Sequence, residues 1–212
     1  MVKNKKKYVS NIMKVLEKNF GHVKCALNFS TTFELLVAVI LSAQCTDERV
    51  NKVTENLFNI YKNIKDYASA DILEFENHIR SVGFFRNKAK NIIMSAQLVI
   101  DVYNGLVPQT MEELLKLPGV ARKTASVVLG IGFGKMEGIA VDTHVIRISN
   151  LLKLTEHGNP MKIEIDLMKI VPKEYWVKFS SYIQTLGRRV CKAKNPNHAI
   201  CPINKIFPLA GK

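Results

Sequence analysis

Leu117-Pro118-Gly119-Val120-Ala121-Arg122-Lys123-Thr124-Ala125-Ser126-Val127-Val128-Leu129-Gly130 is the stretch on which the reading of this chain turns. It reads as a helix end, a tight Pro-Gly turn and the start of a second helix. Pro118 presets one backbone dihedral, and Gly119 tolerates the positive φ that a sharp hairpin between helices requires. The following helix opens with free backbone N–H groups and a partial positive charge, which together make a seat for a phosphate. Arg122 and Lys123 fall in that first turn, where a cation opposes the dipole. Two explanations stand: a solvated basic helix start, or a charge set there for an anionic partner or for a lysine of lowered pKa. A little further on comes Val141-Asp142-Thr143-His144, which puts an acid near the start of another helix.

The totals narrow the choice. The chain has 212 residues, 47% of them hydrophobic, so it can bury a real core in one large domain or two small ones. Lys and Arg number 31 against 18 Asp and Glu, a formal charge of +13. Such an excess points to a polyanion, most simply nucleic acid. An anionic membrane surface is the competitor, but the longest apolar stretch, Leu35 to Ala43, is too short to span a bilayer and no signal peptide precedes it. The cluster Lys3, Lys5, Lys6 and Lys7 reads as a solvated N-terminal tail. Cys25, Cys45, Cys191 and Cys201 are few and scattered, which argues for a reduced, intracellular protein. With DNA as partner, the expected place is the cytoplasm, in association with the nucleoid.

Helical periodicity runs through most of the chain. Val9, Ile12, Met13, Leu16 and Phe20 recur at helical spacing and stop at Gly21. Thr31 and Glu34 read as a capping box before a helix from Phe33 to Gln44 that is apolar on nearly every side, hence a core helix. Thr46 or Asp47 caps the next, with Val50, Val53, Leu57 and Ile60 inward. Ser69 is expected to start a short helix carrying Ile72, Leu73, Phe75 and Ile79. After a turn at Ser81 to Arg86, Ile92, Ile93, Ala96, Val99, Ile100 and Tyr103 line another, ended by Gly105. Thr110 and Glu113 suggest a second capping box leading into the hairpin. Beyond Gly134, helices are expected from Asp142 to about Leu152, from Asn159-Pro160 onward, and from about Lys173 to Val190. Alternating strand patterns are almost absent, so the fold class is all-α. Two domains are expected: residues 22–133, with the hairpin at about 113–131, and residues 1–21 joined by 134–212.

At this point several ordered motifs converge. Leu117 to Ala125 resembles the helix-hairpin-helix of base-excision DNA glycosylases. Taken with Val141-Asp142-Thr143-His144-Val145-Ile146-Arg147, Leu41-Ser42-Ala43-Gln44-Cys45-Thr46-Asp47 and Gly83-Phe84-Phe85-Arg86-Asn87-Lys88-Ala89, the chain from about residue 10 to 190 is similar to the endonuclease III family. The resemblance implies a two-domain helix-hairpin-helix glycosylase fold with a cleft between the domains. It also implies a bifunctional glycosylase and abasic-site lyase that removes oxidised pyrimidines such as thymine glycol from double-stranded DNA. In that chemistry the Lys123 amine attacks the sugar C1′, expels the base and leaves a Schiff base that permits β-elimination. Lys123 must be neutral to attack, and a helix N-terminus beside Arg122 favours that form. Asp142 would stabilise the developing sugar cation or move protons, or simply cap its helix; one carboxylate can do both.

The flipped base leaves a gap in the stack. Gln44 is expected to fill it or read the orphaned partner, the other reading being a buried helix-end hydrogen bonder. Phe84 is either a wedge between bases or a plain core aromatic; the family commonly has a smaller aliphatic residue there. His144 reads as structural. Phosphate contacts are expected from the backbone at Gly119 and Ala121, from Arg122, and from Arg188, Arg189, Lys192 and Lys194. The protein is expected to act as a monomer.

Two departures from the family pattern stand out. The family usually ends in Cys-x6-Cys-x2-Cys-x5-Cys, which holds a 4Fe–4S cluster. The corresponding positions here are Cys191, His198, Cys201 and Phe207. With two of four ligands missing, neither an iron–sulfur cluster nor any other metal or cofactor is expected. A zinc site lacks a fourth ligand nearby. Instead Ile200, Ile203, Ile206, Phe207 and Leu209 should pack on the last helix, with Lys192, Lys194 and Lys205 left for phosphate. The second departure is Ala121, where glycine is frequent; alanine is acceptable if its φ is negative. Two alternatives remain at this stage: a sister glycosylase for another lesion or mismatch, whose relatives lack a lysine at 123, and a non-catalytic DNA-binding module.

Overall fold

A computed structural model describes residues 4–21, 23–204 and 206. Among them every regular element is a helix. In chain order these are α1 (Lys5–Phe20), α2 (Thr32–Ser42), α3 (Asp47–Ile60), α4 (Ile64–Ala68), α5 (Ile72–His78), α6 (Phe85–Tyr103), α7 (Met111–Leu114), α8 (Arg122–Val127), α9 (Thr143–Leu151), α10 (Pro160–Ile170) and α11 (Trp176–Arg189). A π-helical turn over Val128–Gly132 continues α8, and 3₁₀ turns occur at Lys173–Tyr175 and His198–Ile200. No helix among the described residues is long and apolar enough to cross a membrane. The chain divides into two compact units, residues 25–137 and residues 1–24 with 138–212.

The unit of residues 25–137 is built round α2. Thr31 Oγ1 accepts from the Glu34 N–H at 3.1 Å while Glu34 Oε2 accepts from the Thr31 N–H at 3.2 Å, so the capping box forms as its sequence promises. Phe33 and every residue from Leu35 to Leu41 are buried, and α2 packs against α3, α6, α8 and the π turn. The helix stops at Ser42, so Gln44 lies beyond its end rather than within it. Tyr67, Tyr61, Phe75 and Phe33 form an aromatic cluster with centroids 5.1–6.0 Å apart, edge-on except for the tilted Tyr61–Tyr67 pair.

Local chemistry explains where this unit departs from the pattern. Helix α4 escapes periodicity because it is only one turn long; its signal is Asn63, whose side chain accepts from the N–H groups of Lys65 and Asp66 while Asp66 answers. Asp71, not Ser69, caps α5, and the Ser69 hydroxyl closes α4 on the Lys65 carbonyl at 2.9 Å. Phe75 and Ile79 are buried as expected, whereas Ile72 and Leu73 are exposed, since so short a helix has one inward face. The second capping box is incomplete: Thr110 accepts from the Glu113 N–H, but its own hydroxyl donates to the Glu113 carboxylate at 2.7 Å.

The other unit gathers α1, α9, α10 and α11. Ile12, Met13, Leu16, Ile148, Phe179, Ile183 and Leu186 are fully buried in one core, with α11 packed on α1 and α9. Asn4 caps α1, so Lys5, Lys6 and Lys7 lie in a helical first turn and not in a solvated tail; Lys5 Nζ donates to the Leu154 carbonyl at 3.3 Å. Asn159 caps α10 with Pro160 at its first position. At the tail Ile203 is fully buried and Ile206 half-buried against this core, but Ile200 stands 65% exposed on the outside of its 3₁₀ turn. Lys3, Lys205, Phe207 and Leu209 lie outside the described residues.

Candidate nucleic-acid interface

The hairpin is made by its backbone. The Leu117 N–H bonds the Leu114 carbonyl and the Val120 N–H bonds the Leu117 carbonyl, both at 3.1 Å. Gly119 takes φ +77°, the left-handed region that side chains resist. Space forbids a side chain too: a Cβ there would sit 2.8 Å from Asn91 Nδ2. Four residues further along α6 the Ser95 hydroxyl donates to the Pro118 carbonyl at 2.9 Å, so one helix pins the turn twice. Ala121 has φ −88° and precedes α8 without any side-chain cap on the helix's first N–H groups. Arg122 and Lys123 occupy the first turn, the former half-buried and the latter exposed, while Ala125 and Ser126 bury the opposite side.

In the same unit two exposed side chains share a rare backbone. Gln44 has φ +53° and Phe84 has φ +57°, values that cost a non-glycine residue energy. Phe84 is 65% exposed, so it is not a core aromatic, and exposed Gln44 is not a buried hydrogen bonder. The turns that carry them lie side by side, the Cβ position of Gly83 being 3.6 Å from the Gln44 carbonyl oxygen. Between them sits Lys88, only 5% exposed, whose Nζ donates to the carbonyls of Leu41 at 2.8 Å and Ala43 at 2.6 Å. Burial pushes the Lys88 ammonium down from the usual lysine range, partly opposed by Cys45.

The other unit carries the acid. Asp142 caps α9, its Oδ1 accepting from the Val145 N–H at 2.8 Å. One residue into α9, His144 lies on Gly187 of α11 so closely that any Cβ there would strike its Nδ1. Burial, then Arg147 and Arg188, lower the His144 pKa, while Asp142 raises it. Arg188 and Arg189 close α11 at the surface, and Lys192 and Lys194 follow exposed. The predicted residues thus gather in two sets: Gln44, Phe84, Gly119, Ala121, Arg122 and Lys123 in one unit, and Asp142, Arg188, Arg189, Lys192 and Lys194 in the other. Lys88, Asn91, Ser95 and Gly187 support these segments without a site role assigned to them by the sequence. Of these only Gly187, a glycine within a helical pattern, carried a local signal of close approach.

The tail does not fit an iron–sulfur cluster. Four thiolates are needed, and the described tail supplies Cys191 and Cys201. Around Cys191 the space is already taken: its Sγ lies 3.6 Å from His198 Nε2 and accepts from Arg147 Nη1 at 3.4 Å, while Arg147 Nη2 donates to the Cys191 carbonyl at 2.5 Å. Among the described residues no three His, Cys, Asp or Glu side chains are grouped to hold a metal ion.

Residues 37–173 match the HhH-GPD superfamily of base excision DNA repair proteins. The chain is 49% identical over 207 residues to endonuclease III of Synechocystis sp., covering 98% of this chain and 94% of that one. It is 46% identical to endonuclease III of Bacillus subtilis over 185 residues, 87% of this chain and 84% of that one. A solved structure of a trapped endonuclease III–DNA covalent intermediate superposes with a TM-score of 0.89 at 44% identity, over 95% and 94% of the two chains. With its hairpin, its capped aspartate and identity at this level over nearly its whole length, the chain belongs to the endonuclease III family of helix-hairpin-helix base excision repair proteins.

Proposed function

We propose that this base excision repair glycosylase and abasic-site lyase removes oxidised pyrimidines from double-stranded DNA through Lys123. The observation that carries the assignment is an exposed lysine at the start of α8, directly after a hairpin turned by the left-handed Gly119, with no side chain capping the helix. The Lys123 amine forms a bond to C1′ as the N-glycosidic bond breaks and the base departs with its electron pair. The sugar ring opens to a Schiff base, a proton is lost from C2′, and the C3′–O3′ bond breaks on the 3′ side. Asp142, whose Oδ1 caps α9, is the carboxylate that stabilises the positive charge developing on the sugar. Gln44 and Phe84 enter the duplex to fill the space of the extruded nucleotide and hold the orphaned base. Arg122, Arg188, Arg189, Lys192 and Lys194 hold phosphates. The two compact units serve as the two domains of the enzyme, which works as a monomer in the cytoplasm on nucleoid DNA.

Borohydride reduction with an abasic duplex tests the nucleophile. The wild type should become covalently trapped on the DNA, and Lys123→Gln should lose trapping while keeping most of its affinity. Binding without trapping by the wild type, or trapping that survives Lys123→Gln, would overturn the assignment.

A further inference from the structure

We propose that Lys88 is a positioning residue for base extrusion, holding the Ala43–Gln44 turn and the Gly83–Phe84 turn as one unit so that both side chains enter the duplex in register. The proposal rests on the reading of Gln44 and Phe84 as inserting residues. Its physical basis is the pair of structures that Lys88 joins. Its backbone N–H bonds the Phe84 carbonyl at 3.1 Å, and its ammonium bonds the carbonyls of Leu41 and Ala43, the second of which immediately precedes Gln44. One residue therefore grips both turns, one through its main chain and the other through its side chain.

The placement of the charge supports this role. Lys88 lies in the first turn of α6, the unfavourable end of that helix for a cation, but at the carbonyl end of α2, the favourable one. A core position near Ile92 and Ala89 asks for an apolar side chain, and burying an ammonium there carries a desolvation cost. The two turn carbonyls, which α2 leaves without helical partners, account for the lysine. Left-handed backbone at Gln44 and Phe84 persists only where the surroundings enforce it, and Lys88 bonds the carbonyl just before Gln44 and the carbonyl of Phe84 itself. Lys88, Asn91 and Ser95 follow at i, i+3 and i+7 on one face of α6, so the inserting turns and the phosphate-binding hairpin hang from the same rigid helix.

The test is a double-mutant cycle on a lesion-bearing duplex with 2-aminopurine as the base opposite the lesion. Single-turnover base release and 2-aminopurine fluorescence are read for the wild type, Lys88→Met, Gln44→Ala and the double variant. Lys88→Met should slow base release by up to about 100-fold and lose the fluorescence change, while affinity for undamaged DNA stays near wild type. The double variant should be no slower than the slower single. Wild-type release by Lys88→Met, or losses that multiply in the double variant, would overturn the proposal. If Lys88→Met does not fold, Lys88→Gln carries the test: it keeps an amide donor group without the reach or the charge. It should release base more slowly at an unshifted melting temperature, and a wild-type rate would overturn the proposal. If Gln44→Ala and Phe84→Ala each release base at the wild-type rate, the insertion reading fails and takes the proposal with it. If those losses are present but independent of Lys88, the positioning role alone fails.

Discussion

The hairpin at residues 117–124 and the described part of the tail from residue 191 both carry exposed basic side chains, yet different forces shape them. The hairpin is a backbone object. A proline, a left-handed glycine and two carbonyl bonds set its path, while α6 bonds it through Ser95 and crowds it with Asn91. The tail is a side-chain object, held by Arg147 on Cys191, by His198 beside that sulfur, and by Ile203 in the core. Where function depends on N–H groups held in a fixed conformation, few substitutions are tolerated. Where a loop only has to stay put and carry charge, buried side-chain contacts are enough to hold it, as they do here around Cys191.

The comparison can be broken at either end. The largest effect is expected from Gly119→Val, which meets both the positive φ and Asn91. It should cost about 3 kcal/mol of stability and weaken binding to an abasic duplex, read by thermal melting and by fluorescence anisotropy. Wild-type affinity in this variant would show that the hairpin does not bind phosphate through its backbone. Next in size is Arg147→Leu, which removes a charged donor from Cys191. It should lower stability by about 1.5 kcal/mol and leave the rate of borohydride trapping unchanged; a trapping defect without a shift in melting would mean that the tail shapes the reactive centre. The smallest effect belongs to Lys192→Gln and Lys194→Gln. Each should reduce the slope of log affinity against log salt by about 1, uniformly for damaged and undamaged DNA. A change in lesion preference would contradict a purely electrostatic tail.

Much of this was legible in the one-dimensional chain because it rests on short-range rules. Thr31 with Glu34, Asn159 with Pro160, and the Pro118-Gly119 turn announce their conformations within four residues. Asp142 as a helix cap follows from the same local logic. The start of α5 is set by Asp71 and not by Ser69, and α4 carries no period to read, because helices this short depend on the Asx caps at Asn63 and Asp71. Its apolar side chain argues for an inward Ile200, but the 3₁₀ turn that carries it leaves it exposed.

By itself the sequence determined the helical class, the Pro118-Gly119 hairpin and the Asp142 helix cap, since each is encoded by neighbours in the chain. Only the tertiary structure decided that Phe84 and Gln44 are exposed in strained conformations and that Lys88, drawn from a helix more than forty residues away, secures the turn before Gln44. Contacts of that separation depend on how helices pack. No local rule of capping, turn or period can state them.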